Sequence, residues 1–277
     1  MLSSRQTDQF MTGLIWLVAI VVTVIPLMMA YDLLANGIQH ISWSFLVDKP
    51  LDSGRSGGIG PLIVSTFLIL FVCLSVVFPF GLACALYLSE MVEGDSTKGK
   101  QISQALDILS GVPSIVFGLF GYVFFAQILG LGFSILSGGL TLACMALPLF
   151  VRLTEQALRH TPNSYRQAAE ALNLSHVSFV FRILLPSAST GIAAATIVAT
   201  GRALAETAVL IFTAGYVMRQ PESLMDSGRA LSVHIYDLAM NVAGGTKPAA
   251  ATALVLLSLL ILINLFARFL SKRWLRQ

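Results

Sequence analysis

Six stretches of about twenty residues, each nearly free of charge, constrain this chain more than any other feature. They run from Met11 to Leu34, Pro61 to Leu88, Ile108 to Leu129, Phe133 to Leu153, Ala188 to Ala214 and Ala249 to Leu270. A helix of that length spans the hydrocarbon core of a bilayer, roughly 30 Å thick. Inside lipid a lone segment can satisfy its own backbone hydrogen bonds only as a helix. The sequence therefore predicts an all-α, polytopic membrane protein with six transmembrane helices. Composition agrees, since 56% of the 277 residues are hydrophobic and only 11% are charged, too few polar groups to coat a soluble domain of this size. The first run exceeds a typical signal-peptide core and follows a single Arg5 offset by Asp8, so it is expected to remain as an uncleaved helix.

Basic residues set the expected orientation. With the N-terminus inside, Arg5, Lys98, Lys100, Arg152, Arg159, Arg166, Arg182, Arg268, Lys272, Arg273 and Arg276 fall on the cytoplasmic side. Only Lys49, Arg55, Arg219, Arg229 and Lys247 fall outside. The excess places both termini in the cytoplasm, with residues 1–10 and 271–277 as short ends of one membrane domain, 11–270. Residues 35–60 and 216–248 then lie outside. The first reads as a flexible loop from its Ser53-Gly-Arg-Ser-Gly-Gly run, and the second as a connection with a short surface helix.

Several function classes drop out. The net charge of +3 is dispersed between apolar runs and makes no basic stripe for nucleic acid. Cys73, Cys84 and Cys144 lie inside apolar runs without metal-ligand spacing, and the four histidines are scattered, so neither a metal site nor enzyme chemistry is expected. Gly94 to Gln101 spells a phosphate loop up to its last position, where Gln101 replaces the magnesium-binding Ser or Thr; a membrane helix also precedes it where a strand is required. That stretch is expected to be a charged cytoplasmic turn.

The polar segment from Thr161 to Pro186 carries the most information. Thr161 can cap a helix that has Pro162 in its first position, and the Ala-, Gln- and Glu-rich run to Leu172 sustains it. Asn173 is suited to the left-handed turn that ends a helix. Ser175 restarts one whose Val177, Val180, Phe181 and Leu184 recur at spacings of three and four, and Pro186 is expected to end it. This helix-turn-helix resembles the EAA loop of ABC importer permeases: Glu-Ala-Ala, three residues, Gly, nine residues, then Ile-x-Leu-Pro. Here Gln167, Ala168, Ala169, Asn173, Ile183, Leu185 and Pro186 fall in register without a gap, with Gln for Glu and Asn for Gly. The resemblance implies that residues 161–186, Glu170 included, couple the chain to a partner ATPase.

Further segments resemble the PstA-type permeases of phosphate importers over nearly the whole chain. They are Gly57-Gly-Ile-Gly-Pro-Leu-Ile-Val, Gly111-Val-Pro-Ser-Ile-Val-Phe-Gly-Leu, Leu147-Pro-Leu-Phe-Val-Arg-Leu-Thr-Glu-Gln-Ala-Leu-Arg, Gly201-Arg-Ala-Leu-Ala-Glu-Thr-Ala and Val233-His-Ile-Tyr. Ala205 stands where that family usually has Gly. The resemblance implies a type I, MetI-like permease fold in the bacterial inner membrane, without a cofactor of its own. It further implies two ATPase copies, a homologous second permease subunit and an extracytoplasmic phosphate-binding protein as partners, with membrane lipid around them and no nucleic acid.

Arg202 and Glu206, four residues apart within an apolar run, are independently notable, because charges at membrane depth must pair or face water. A guanidinium suits a phosphate oxyanion and Glu206 can neutralise it in the ion's absence. Thr196, Thr200 and Thr207 add hydroxyls nearby. The same pair could instead fix helix packing. Ser110-Gly-Val-Pro-Ser114 reads either as a broken helix lining a cavity or as a packing kink, and Pro79 with Gly81 admits the same two readings. Another oxyanion such as molybdate or sulfate, or a membrane scaffold that binds an ATPase without transport, remains the alternative.

Overall fold

The computed structural model describes residues 4–92 and 96–274. The long helices are α1 (Ser4–Gly37), α3 (Gly60–Glu90), α6 (Ile135–Arg159), α9 (Leu185–Ala205) and α12 (Thr246–Trp274). Between them lie α2 (Trp43–Val47), α4 (Thr97–Gly111), α5 (Ser114–Gly121), α7 (Asn163–Ala171), α8 (His176–Phe179), α10 (Ala208–Thr213) and α11 (Leu231–Met240). Among the described residues five helical segments are long and apolar enough to cross a membrane, and a bent pair, α4 with α5 and its continuation to Ile128, counts as a sixth only when taken as one span.

That pair corrects the expected third span. Ile108 to Gly111 belong to α4, and α5 leaves it at 96°. Pro113 has no amide hydrogen and forces Val112 into an extended conformation (φ −67°, ψ 130°), which ends α4. The eight residues of α5 continue into a seven-residue π-helical stretch, Tyr122–Ile128. Together these reach about 22 Å, short of the roughly 30 Å that a straight crossing needs. Lys98, Lys100 and Gln101, expected in a turn, form the first turns of α4, capped by the Ser96 hydroxyl accepting from Gly99 N. Gly94 and Asp95 lie outside the described residues, as do residues 1–3 and 275–277 of the expected end segments.

Helix α6 is the centre of the bundle, with two thirds of its membrane window buried. It lies against α3 through small residues: a Cβ on Gly81 would collide with the Phe150 ring, and one on Gly139 would meet Val72 at 2.5 Å. Close approach of backbones is how helices gain contact in lipid, where apolar burial adds little. Gly81 thus serves packing. The core of Ile69, Cys73, Val77, Leu142, Phe150, Ala199 and Leu210 fills the space between α3, α6, α9 and α10. By contrast, Asp8 to Met29 of α1 are all exposed within this chain.

The segment 35–60 is structured rather than flexible. Its strands β1 (Pro50–Leu51) and β2 (Ser56–Gly57) pair antiparallel around a tight turn, and Ile59 N donates to Phe45 O (2.7 Å). Helix α11, within residues 216–248, is no surface helix: Leu231, Ser232, Val233, His234 and Leu238 are buried against α3 and α12.

Candidate coupling and translocation sites

The loop following α6 takes the helix-turn-helix form expected, with two local corrections. Pro162 is itself the N-cap (φ −57°, ψ 135°) and helical geometry starts at Asn163, so Thr161 is not the cap and is buried one residue earlier. The C-terminus closes as read. Asn173 adopts φ 51°, its N–H donates to Glu170 O (2.9 Å) and Leu174 N–H to Ala169 O (3.0 Å), the paired bonds of a Schellman turn. Ser175 caps α8 by accepting from Ser178 N (3.3 Å). Pro186 does not end the following helix. A π-helical turn, Val180–Leu184, lets it sit in the first turn of α9, and helix runs on from His176 to Ala205. Pro186 has no N–H to give that helix, and the wider π-helical turn before it makes room for its ring.

This geometry exposes Gln167, Ala168, Glu170, Asn173 and Pro186, half-buries Ile183 and Leu185, and buries Ala169 alone among the residues of α7. Three ion pairs that the sequence did not single out hold the loop end of the bundle together. Arg166 grips Glu90 at the end of α3 with both arms of its guanidinium (2.5 and 2.6 Å), and lies 5.5 Å over the Phe179 ring. The Glu90 hydrogen bonds raise the Arg166 pKa above its ordinary value, against the opposing effect of partial burial. Arg159 donates to Glu155 (2.9 Å) and to Leu88 O (2.6 Å). Arg152 holds α4 through Asp107 (2.6 Å) and Ser103 O (2.9 Å). Single charges at the ends of apolar runs were the only hint of these pairs, and spacing could not reveal their partners.

The Arg202–Glu206 motif departs from the expected uninterrupted helix. Helix α9 ends at Ala205, Glu206 is extended (φ −73°, ψ 128°), and α10 begins at Ala208. The two charges therefore do not share a helical face. Arg202 Nε stands 4.0 Å from Glu206 Oε1, beyond hydrogen-bond reach, and finds no hydrogen-bond acceptor among the described residues. The Arg202 side chain is 36% exposed and that of Glu206 16%, although Arg202 Nε itself is buried. Ser232 of α11 satisfies the freed carbonyl by donating to Glu206 O (2.7 Å). Nothing in the sequence pattern flags that serine.

Of the hydroxyls near the motif, Thr200 is buried and Thr207 half-buried at the start of α10. Thr196 is spent on its own helix, donating to Ile192 O (2.9 Å). The second break approaches the first. Gly118 of α5 packs on α10, where a Cβ would lie 3.2 Å from both Ala208 O and Val209 Cα. Ser114 is one helical turn from Gly118, and Glu206 two residues from Ala208, so both interrupted helices start in the same part of the bundle. Ser110 stays apart on α4, exposed, donating to Leu106 O (2.8 Å).

At the end opposite the 161–186 loop, Arg229 is buried and pairs with Asp237 (2.9 Å), donates to Tyr216 O (3.1 Å) and lies 5.3 Å over the Tyr216 ring. Neighbouring His234 is wholly buried against the Gly54 turn. Burial first, and the Arg229 charge second, push its pKa down from 6.5 to about 4, with Asp237 opposing.

Comparison with known proteins agrees with this architecture. The family model "Binding-protein-dependent transport system inner membrane component" matches residues 78–276. The chain is 30% identical to the probable ABC transporter permease protein YqgI of Bacillus subtilis (strain 168), covering 98% of this chain and 97% of that one. It is 33% identical to the phosphate transport system permease protein PstA 2 of Mycobacterium bovis, covering 92% and 85% respectively. Its fold resembles a chain of the inward-facing MetNI methionine ABC transporter (TM-score 0.61, 18% identity, covering 78% of this chain and 94% of that chain). With its multiple membrane helices, the chain belongs to the binding-protein-dependent transport system inner membrane components, the permeases of ABC importers.

Proposed function

We propose that this chain forms half of the translocation pathway of an ATP-driven importer for inorganic phosphate. The observation that carries the reading is the interrupted α9–α10 helix, where buried Arg202 Nε has no hydrogen-bond acceptor among the described residues and stands 4.0 Å from Glu206 Oε1. A pair built for packing would close to hydrogen-bond distance, as Arg166 with Glu90 and Arg229 with Asp237 do. A pathway cation must instead keep donors free for a passing oxyanion and be only partly neutralised, so that the ion can leave. Broken helices at membrane depth are tolerated where they line a cavity. The phosphate permease among its relatives favours this cargo over another oxyanion.

In this reading both termini are cytoplasmic, and 161–186 couples the chain to a partner ATPase, which supplies all the catalysis. Gln167, Ala168, Glu170 and Asn173 form the exposed docking face, with Ala169, Ile183, Leu185 and Pro186 anchoring it. Two ATPase copies, a homologous second permease and an extracytoplasmic phosphate-binding protein complete the importer. Closure of the ATPases moves the loop and opens the outer face. Phosphate then passes from the binding protein towards Arg202, Thr200, Thr207 and Ser114. No cofactor is required in this chain.

The test is radiolabelled phosphate uptake by proteoliposomes holding the full complex, with molybdate and sulfate as competitors. Arg202→Gln removes a charge-assisted contact of roughly 1.5–3 kcal/mol, so uptake should fall about tenfold or more while the ATPase still co-purifies. Wild-type phosphate uptake in Arg202→Gln, or its loss only through failed assembly, would refute the pathway role. Competition by molybdate or sulfate would reassign the cargo.

A further inference from the structure

We infer that Glu90 and Arg166 form a rigid strut that makes α3 move with α7, a positioning device rather than part of the docking face; this rests on the ATPase-coupling reading above. Helix α7 is held to the bundle by few points. Ala169 is its one buried residue, a methyl group among Leu88, Leu158, Phe179 and Leu184. Such an apolar contact resists separation but slides easily. The second attachment is ionic, between residues 76 positions apart: Arg166 NH1 on Glu90 Oε2 (2.5 Å) and NH2 on Oε1 (2.6 Å).

Two parallel hydrogen bonds between planar groups fix orientation as well as distance. The Glu90 side chain is 3% exposed, and a buried ion pair held at this geometry selects one arrangement over its neighbours at a desolvation cost that an apolar pair would avoid. The guanidinium carbon also sits 5.5 Å over the ring of Phe179 of α8, itself buried. The Ser89 hydroxyl, 3.3 Å from Glu90 Oε1, steadies the carboxylate. Arg159 meanwhile ties α6 to the carbonyl of Leu88, two residues before Glu90. A push on α7 thus reaches the last turn of α3 directly, and through Arg159 it reaches α6. From there it can travel up α3 and α6, which pack closely at Gly81 and Gly139.

The experiment uses the assembled complex with Cys73, Cys84 and Cys144 replaced by Ala. Spin labels sit at the exposed positions Ser164 on α7 and Tyr87 on α3. The Ser164–Tyr87 distance is measured by electron-electron double resonance without nucleotide and after trapping the ATPase with ATP and vanadate. A strut predicts one distance in both states for the wild type. In Glu90→Gln the distance should change by several ångströms on trapping, with the ATPase still co-purifying, and Arg166→Lys, which keeps the charge but loses the fork, should show the same loosening to a smaller extent.

A wild-type distance that changes on trapping would overturn the proposal, as would variants that hold it constant. Loss of ATPase co-purification in both variants would also overturn it, assigning the pair to the docking surface. Failure of the wild-type chain to hold the ATPase at all would instead remove the coupling reading itself. Because no cargo enters the measurement, the phosphate assignment can fail without affecting it.

Discussion

The Asn173 turn gives the most direct check on how the 161–186 loop is built. Its φ of 51° places an L-residue in the left-handed region, which costs an ordinary side chain roughly 1–2 kcal/mol. Asn offsets part of this through local hydrogen bonding, and Gly avoids it. Asn173→Ala should therefore destabilise the turn by about 1 kcal/mol, and Asn173→Gly should leave it nearly unchanged. Residue 173 is exposed, so side-chain packing should contribute little to either difference. The amides of Asn173 and Leu174 report on the turn, since they donate to Glu170 O and Ala169 O and exchange only when it opens. A loss of about 1 kcal/mol raises the open population about fivefold, so both amides should exchange about fivefold faster in Asn173→Ala by hydrogen–deuterium exchange. Asn173→Gly should stay close to the wild type. Equal exchange in wild type and Asn173→Ala, or faster exchange in Asn173→Gly, would show that backbone conformation does not hold this turn.

Two more outcomes follow from packing and burial. His234 is held neutral with its pKa lowered from 6.5 to about 4; the unfolded chain binds the extra proton first as pH falls, so the fold around His234 keeps its full stability above about pH 6.5 and progressively less towards about pH 4, losing about 2 kcal/mol between pH 7 and pH 5. The thermal midpoint in detergent should drop over that window, and the part of the drop owed to His234 should vanish in His234→Gln. Gly81→Val drives a side chain into the Phe150 ring and should destabilise the chain by roughly 1–3 kcal/mol, whereas Gly111→Ala, with open space around it, should be tolerated in the same melting assay.

What the sequence determined by itself was whatever depends on neighbours within a few residues. Apolar runs specify membrane helices because lipid leaves no other way to bond a lone backbone segment. Asn173, Ser175 and Pro113 specify their turn, cap and break because side chain and backbone act locally, and Asn173 does take φ 51°. The spacing from Gln167 to Pro186 placed the helix-turn-helix and its family. Tertiary structure decided the rest. The run from Ala188 to Ala214 has no breaker at Glu206, yet the helix stops there, where a hydroxyl 26 residues away receives the freed carbonyl. Pro186 looks like a stop and is absorbed by a π-helical turn. Glu90 and Arg166, 76 residues apart, read as isolated charges at the ends of helices until the fold brings them together. Local pattern records what one segment can satisfy alone, whereas a broken helix or a buried ion pair exists only where another segment arrives to complete it.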